Sequence, residues 1–286
     1  MAGKALRKIL ALFTASFGLA GLLLAGAAPS AAEPTQGSPD AIEYVNLGDS
    51  YSAGFGSGAI TAGPLPGCFQ TDGVSHVDAI AGLPGVHLAI DAACAGFTSG
   101  QVAQAAAYVS DYLAAADLVT LSVGGNDIAW SSTLMACSNF GNPSLCESMV
   151  ADATEELAGV TGQVQRTLAQ LDRQTAGNIL VLGYPRLLTN SVGDQALITA
   201  ANARKLNKVA DSLNRAIRDA TQGTSAKFIP VLGPFNNNAV GSRDSWLYLD
   251  PGNPADSFNF HPTTTGYLEG YFHALRPHLQ LNQLAR

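Results

Sequence analysis

The chain has 286 residues, with 22 acidic against 15 basic side chains and a formal net charge of −7. Three of the basic residues (Lys4, Arg7, Lys8) and none of the acidic ones fall in 1–32, which leaves 12 against 22, a net charge of −10, for the remainder. That balance argues against nucleic acid or an anionic membrane as a partner. The 47% hydrophobic share is inflated by alanine and by the first thirty residues, so it carries no information on lipid affinity.

In chain order, Lys4, Arg7 and Lys8 precede an apolar run over 9–24, and the small residues Ser30, Ala31 and Ala32 precede Glu33. The arrangement reads as a secretory signal peptide over 1–32, cut after Ala32. The run is shorter than the ~20 apolar residues of a spanning helix and is broken by Ser16 and Gly18, so no membrane anchor is expected. No cysteine lies nearby to take a lipid. Residues 33–40 form a short polar lead-in. Residues 41–286 read as one domain, since no internal linker interrupts them.

The cysteines, Cys68, Cys94, Cys137 and Cys146, are even in number and lie in the part expected to be extracellular, which implies two disulfides. Of three connectivities, Cys68 with Cys94 and Cys137 with Cys146 is favoured, because each bridge joins neighbours and closes a modest loop. No pair has the C-x₂₋₄-C spacing of a zinc site and no H-E-x-x-H occurs, so neither metal nor cofactor is expected.

Apolar runs over 42–47, 118–123, 179–182 and 228–232 read as buried parallel strands, with 86–90 a weaker fifth. Between them, Leu145, Met149, Ala153, Leu157, Val160, Val164, Leu168 and Leu171 recur at helical spacing, as do Leu206, Val209, Leu213, Ile217 and Ala220. Both are read as core helices rather than binding surfaces. Alternating strands and helices predict an α/β fold around a mostly parallel five-stranded sheet covered on both faces. Ligands of such folds bind beyond the carboxyl ends of the strands. The polar stretches there are 48–52, 92–98, Gly124-Gly125-Asn126-Asp127, 183–186 and 233–265.

Ser50 follows the first strand after a Gly-Asp step, which exposes a hydroxyl at the mouth of the sheet. Alone, Gly-Asp-Ser is equally an ordinary turn or helix cap. Its combination with Gly124-Gly125-Asn126-Asp127 and His261-Pro262 changes the reading. Four blocks stand in order: Gly48-Asp49-Ser50-Tyr51-Ser52-Ala53-Gly54, Cys94-Ala95-Gly96, Gly124-Gly125-Asn126-Asp127, and His261-Pro262-Thr263 with Gly266-Tyr267 behind it. With them the chain resembles the GDSL-type members of the SGNH hydrolase superfamily, in particular secreted actinobacterial lipases and esterases.

The resemblance implies a three-layer α/β/α flavodoxin-like fold and ester hydrolysis. It implies Ser50 as nucleophile, His261 as general base, and an oxyanion hole from the backbone N–H of Ser50, the backbone N–H of Gly96 and the side-chain amide of Asn126. The family usually carries an Asp three residues before the histidine, where this chain has Phe258. Two substitutes stay open: Asp256, five residues before His261, or a backbone carbonyl near Ser257 or Phe258, the latter slightly favoured.

His76, His87, His273 and His278 are expected to be structural or solvent-facing, and Asp49 and Asp127 to bind turn N–H groups. Tyr184, Trp130 and Trp246 are candidates for an acyl pocket and equally for core or rim. The loop 233–260 and the disulfide loop 137–146 are expected to shape the entrance. The expected partner is a lipid or other ester, preferably with a medium or long acyl chain, taken by a monomer. A carbohydrate acetylesterase or phospholipase of the same fold stays open, and so does a non-catalytic exported binding module.

Overall fold

The computed structural model describes residues 41–139, 141–189 and 197–279. The signal peptide expected over 1–32 and the lead-in over 33–40 lie outside them.

Among the described residues seven strands occur: β1 (Ile42–Gly48), β2 (Ile60–Ala62), β3 (Phe69–Thr71), β4 (Val86–Asp91), β5 (Leu118–Ser122), β6 (Asn178–Leu182) and β7 (Lys227–Ile229). Five of them form one sheet in the order β4-β1-β5-β6-β7, with every neighbouring pair parallel. Counted along the chain this is the flavodoxin-like order 2-1-3-4-5, whose switch point lies between β1 and β5. All five residues of central β5 are buried, as an apolar run covered on both faces requires. β7 is shorter than the expected 228–232 because Pro230 cannot donate to the ladder. The chain then turns at Val231 into α7 (Leu232–Phe235).

The other helices are α1 (His76–Ala81), α2 (Ser99–Tyr108), α3 (Ser110–Ala115), α4 (Trp130–Ala136), α5 (Pro143–Gln174), α6 (Ala200–Ala220) and α8 (His273–Leu275). Asn142 caps α5 by accepting the Leu145 N–H at 2.7 Å, with Pro143 in the first turn, where its missing N–H costs nothing. Ala153, Val160, Val164, Leu168 and Leu171 of its expected stripe are buried, but Leu145 is 45% exposed. At 32 residues α5 is roughly 48 Å long at 1.5 Å per residue, longer than the sheet beneath it, so its first turns pack on α4 instead. α6 buries all five residues of its stripe.

Helices α2, α4 and α6 pack on α5, whereas α1 packs on a π-helical turn at Gly266–Phe272. With right-handed crossovers, these two groups cover opposite faces of the sheet. β2 and β3 form a separate antiparallel hairpin that the sequence reading did not anticipate. The disulfides join Cys68 to Cys94 and Cys137 to Cys146, the favoured pairing, with Cα atoms 5.1 Å and 4.5 Å apart. The first ties the hairpin to the segment after β4, and the second ties the end of α4 to the start of α5.

Candidate active site

Gly48 ends β1 with φ +120°, and a Cβ there would lie 2.5 Å from the Ser122 carbonyl oxygen. Only glycine lets β1 and β5 end this close together. The turn that follows is held from beneath by Asp49. Its carboxylate accepts the Tyr51 N–H (3.0 Å), the Ser122 hydroxyl (2.6 Å) and the Tyr184 hydroxyl. Burial pushes the Asp49 pKa upward, and these donors oppose that rise. Tyr184 also accepts the Gly125 N–H at 3.1 Å, so one buried network joins the turn after β1 to the turn after β5.

Asn126 begins the turn after β5, and its amide donates to the Phe97 carbonyl at 2.9 Å, which aims the side chain. Asp127 accepts the N–H and hydroxyl of Ser99 (2.9 and 2.6 Å), anchoring the start of α2 and the loop before it. Within that loop Gly96 has φ +81° and open space where a Cβ would point. The backbone conformation therefore demands glycine there, in addition to whatever approach a substrate makes. The loop is pinned by Cys94 N–H to Gly48 O (2.9 Å), Ala95 N–H to Phe69 O (3.0 Å) and the Cys68–Cys94 bridge.

His261 comes from the opposite end of the chain, on a loop stapled by paired backbone bonds between Tyr248 and both Phe260 and His261, each 2.8 Å. Its Nε2 lies 2.8 Å from Ser50 Oγ. His261 borders the cleft, but its Nδ1 is buried, with no hydrogen-bond partner of proper geometry. Burial lowers the imidazole pKa to about 4. The carbonyls of Phe258, Asn259 and Ser257 and the charge of Asp256 oppose the shift without overcoming it.

Asp256, named in one of the two open readings, is engaged within its own loop. Its carboxylate accepts the Phe258 N–H (2.8 Å) and the Tyr248 hydroxyl (3.3 Å), so it caps its own turn. It does not hydrogen-bond His261, and acts on the ring only through its charge.

A cleft of ≈ 580 Å³ opens over Ser50, Gly96, Asn126 and His261. Its apolar lining comes from two parts of the chain: Phe55, Ile60 and Phe69, and Leu134 and Met135 of α4. Ile60 and Phe69 belong to the hairpin and are 49% and 55% exposed. Residues 254–257 of the long C-terminal loop line the cleft as expected; none of the described residues of the disulfide loop 137–146 does, though α4 leads into it.

The aromatic candidates fall elsewhere. Tyr184 and Trp130 are buried and border a ≈ 20 Å³ cavity beside Ser50, and Trp246 packs edge-on against Phe235. The hairpin had a weak signal in the sequence: two triplets, Ile60-Thr61-Ala62 and Phe69-Gln70-Thr71, flank Gly63-Pro64-Leu65-Pro66-Gly67. His76 is fully buried as a structural residue, and among the described residues no group of side chains is arranged to hold a metal.

A flavodoxin-like sheet with a serine and a histidine in hydrogen-bond contact at its switch point defines a serine-hydrolase type of protein. The GDSL-like lipase/acylhydrolase family matches residues 47–268, and the chain belongs to that family of ester hydrolases. A lipase of Streptomyces rimosus is 28% identical over 82% of this chain and 86% of its own length. The crystal structure of an extracellular lipase from the same species superposes with a TM-score of 0.72 at 26% identity, covering 83% of this chain and 99% of that one. A phospholipase A1 from Streptomyces albidoflavus NA297 does so at 0.71, with the same identity and coverage.

Proposed function

We propose that the protein is a secreted lipase or esterase that cleaves carboxylic esters through an acyl-enzyme on Ser50. The observation that carries this reading is the 2.8 Å contact between His261 Nε2 and Ser50 Oγ at the floor of an apolar-walled cleft. His261 accepts the Ser50 proton as Oγ attacks the ester carbonyl carbon. The oxygen that becomes negative is held by the N–H groups of Ser50 and Gly96 and the amide of Asn126. Collapse expels the alcohol, which takes the proton back from His261. Water then repeats the sequence, with His261 as base, and releases the carboxylate.

The apolar lining of the cleft favours an acyl chain of medium or long length over a sugar acetate. A phospholipid is the second substrate reading, favoured by the similarity to the phospholipase A1. Secretion is supported by the two disulfides and the leader-like segment 1–32, and no helix among the described residues is long and apolar enough to cross a membrane.

Labelling with a fluorophosphonate, followed by peptide mapping, should modify Ser50 and abolish hydrolysis of p-nitrophenyl esters. An accessible but unlabelled Ser50 would reduce the protein to a binding module. Phosphatidylcholine and p-nitrophenyl acetate assayed alongside p-nitrophenyl octanoate separate the substrate readings. Asp256 reaches the imidazole only through its charge in this reading, as the nearby carbonyls of 257–259 do through their dipoles, so Asp256→Asn, which keeps a cap for Phe258, should retain kcat/KM within about threefold. A loss of several orders of magnitude would restore Asp256 as the third catalytic member.

A further inference from the structure

The imidazole of His261 lacks the single strong acceptor that usually fixes its direction, so something else must hold the ring against Ser50. We propose that Tyr51, the residue after the nucleophile, is a positioning residue that aims His261 by holding the backbone of Phe260. This rests on the Ser50–His261 pair acting as proposed above.

Phe260 immediately precedes His261 and has φ +66°, one of two positive-φ residues other than glycine among the described residues. A phenylalanine is strained in this left-handed conformation, which persists only where its surroundings over-determine it. The Tyr51 hydroxyl donates to the Phe260 carbonyl at 2.7 Å, in a buried contact spanning 209 positions of sequence. Because the Phe260 carbonyl belongs to the peptide linking it to His261, this bond fixes the plane from which the imidazole projects.

The same tyrosine packs its ring on the imidazole with centroids 4.9 Å apart, and Phe55 packs on it at 5.7 Å. Tyr51 is itself immobilised at both ends. Its N–H is held by Asp49, and its ring meets Tyr184 edge-on at 5.1 Å. The residue beside the nucleophile thus sets the register of the base, and Ser50 and His261 are aligned through one side chain. Losing the hydroxyl leaves a buried carbonyl unpaired and removes the restraint on a strained peptide.

The decisive variant is Tyr51→Phe, which keeps the ring packing and deletes only the hydrogen bond. On p-nitrophenyl esters we expect kcat to fall roughly 10- to 100-fold with KM within twofold, as a displacement of about 1 Å between reacting groups would cause. Fluorophosphonate labelling of Ser50 should slow in parallel, while the circular dichroism spectrum stays native. Asparagine tolerates left-handed backbone, so in a Phe260→Asn background the further loss on removing the Tyr51 hydroxyl should be several-fold smaller. That non-additivity is what a merely structural tyrosine would not produce. An unchanged kcat in folded Tyr51→Phe, or an equal loss in both backgrounds, overturns the proposal. If Tyr51→Phe does not fold, Phe260→Val decides: a β-branched residue resists positive φ, so kcat should drop with KM kept, and a wild-type kcat refutes the role of the strained peptide. Wild-type protein that fails to label at Ser50 would instead overturn the functional reading beneath.

Discussion

At the residue scale, the site depends on groups whose freedom has been removed beforehand. Asn126 spends one amide N–H on Phe97 O, which leaves the other directed by the first. Asn126→Ala should therefore lower kcat about 10²- to 10³-fold, or ~3–4 kcal/mol of barrier, with the melting temperature little changed. A loss below tenfold in steady-state assays would remove Asn126 from the oxyanion hole. The lowered pKa of His261 has its own consequence. Only neutral imidazole accepts the Ser50 proton, so activity is lost as pH falls through the folded-state value of about 4, not through the ordinary 6.5. The acid limb of kcat/KM should accordingly sit well below 6.5; a limb at 6.5 would mean that the ring is solvated in the working enzyme. Asp49 and Asp127 occupy the positions of possible acids beside the nucleophile, yet each carboxylate is taken up by backbone and hydroxyl donors.

Among the elements, the β2–β3 hairpin does two things at once. It presents Ile60 and Phe69 to the cleft, and through Cys68 and Phe69 O it holds the loop that carries Gly96. Contact with an acyl chain is worth about 0.8 kcal/mol per buried methylene. Ile60→Ser with Phe69→Ser should thus cut kcat/KM for p-nitrophenyl octanoate about tenfold and for the acetate less than twofold. An equal fall for both esters would show that the hairpin acts only as a prop for the Gly96 loop. The hairpin left only the faint signal of two triplets around a Gly-Pro turn, because strands of three residues display no period. The long helices α5 and α6, by contrast, showed their stripes over many turns. Even there, the exposed Leu145 obeys the spacing but not the burial, since nothing in a periodicity says where the sheet beneath a helix ends.

For the molecule as a whole, buried titratable groups set the acid stability. His76 packs against both Tyr267 and Tyr271, ring centroids 5.6 and 5.4 Å away, with neither ring nitrogen hydrogen-bonded, and burial lowers its pKa from 6.5 to about 3. Below pH 6.5 the unfolded chain binds the proton that the folded one refuses, so this residue removes stability progressively between pH 6.5 and 3. Asp91 works in the opposite sense: burial raises it to about 7, and its contribution is present at low pH and lost as pH rises through 7. His76→Phe should consequently raise the melting temperature more at pH 4 than at pH 8, by up to about 3 kcal/mol in stability at the lower pH. Equal effects at both pH values, measured by thermal unfolding, would show that His76 is already hydrated or protonated in the fold.

The sequence alone determined the sheet strands, the long helices, the favoured disulfide pairing, and the four ordered blocks that place this chain among GDSL hydrolases. Each is a local pattern, written in periodicity, in a glycine that only one backbone permits, or in a short motif after a strand. What the tertiary structure decided was every relation across distance: the contact of Ser50 with His261, the turn-capping by Asp256, the cleft walls drawn from the hairpin and α4, and the hold of Tyr51 on Phe260. Those depend on how surfaces far apart in the chain pack together, and packing is a three-dimensional fit that no single stretch of residues encodes.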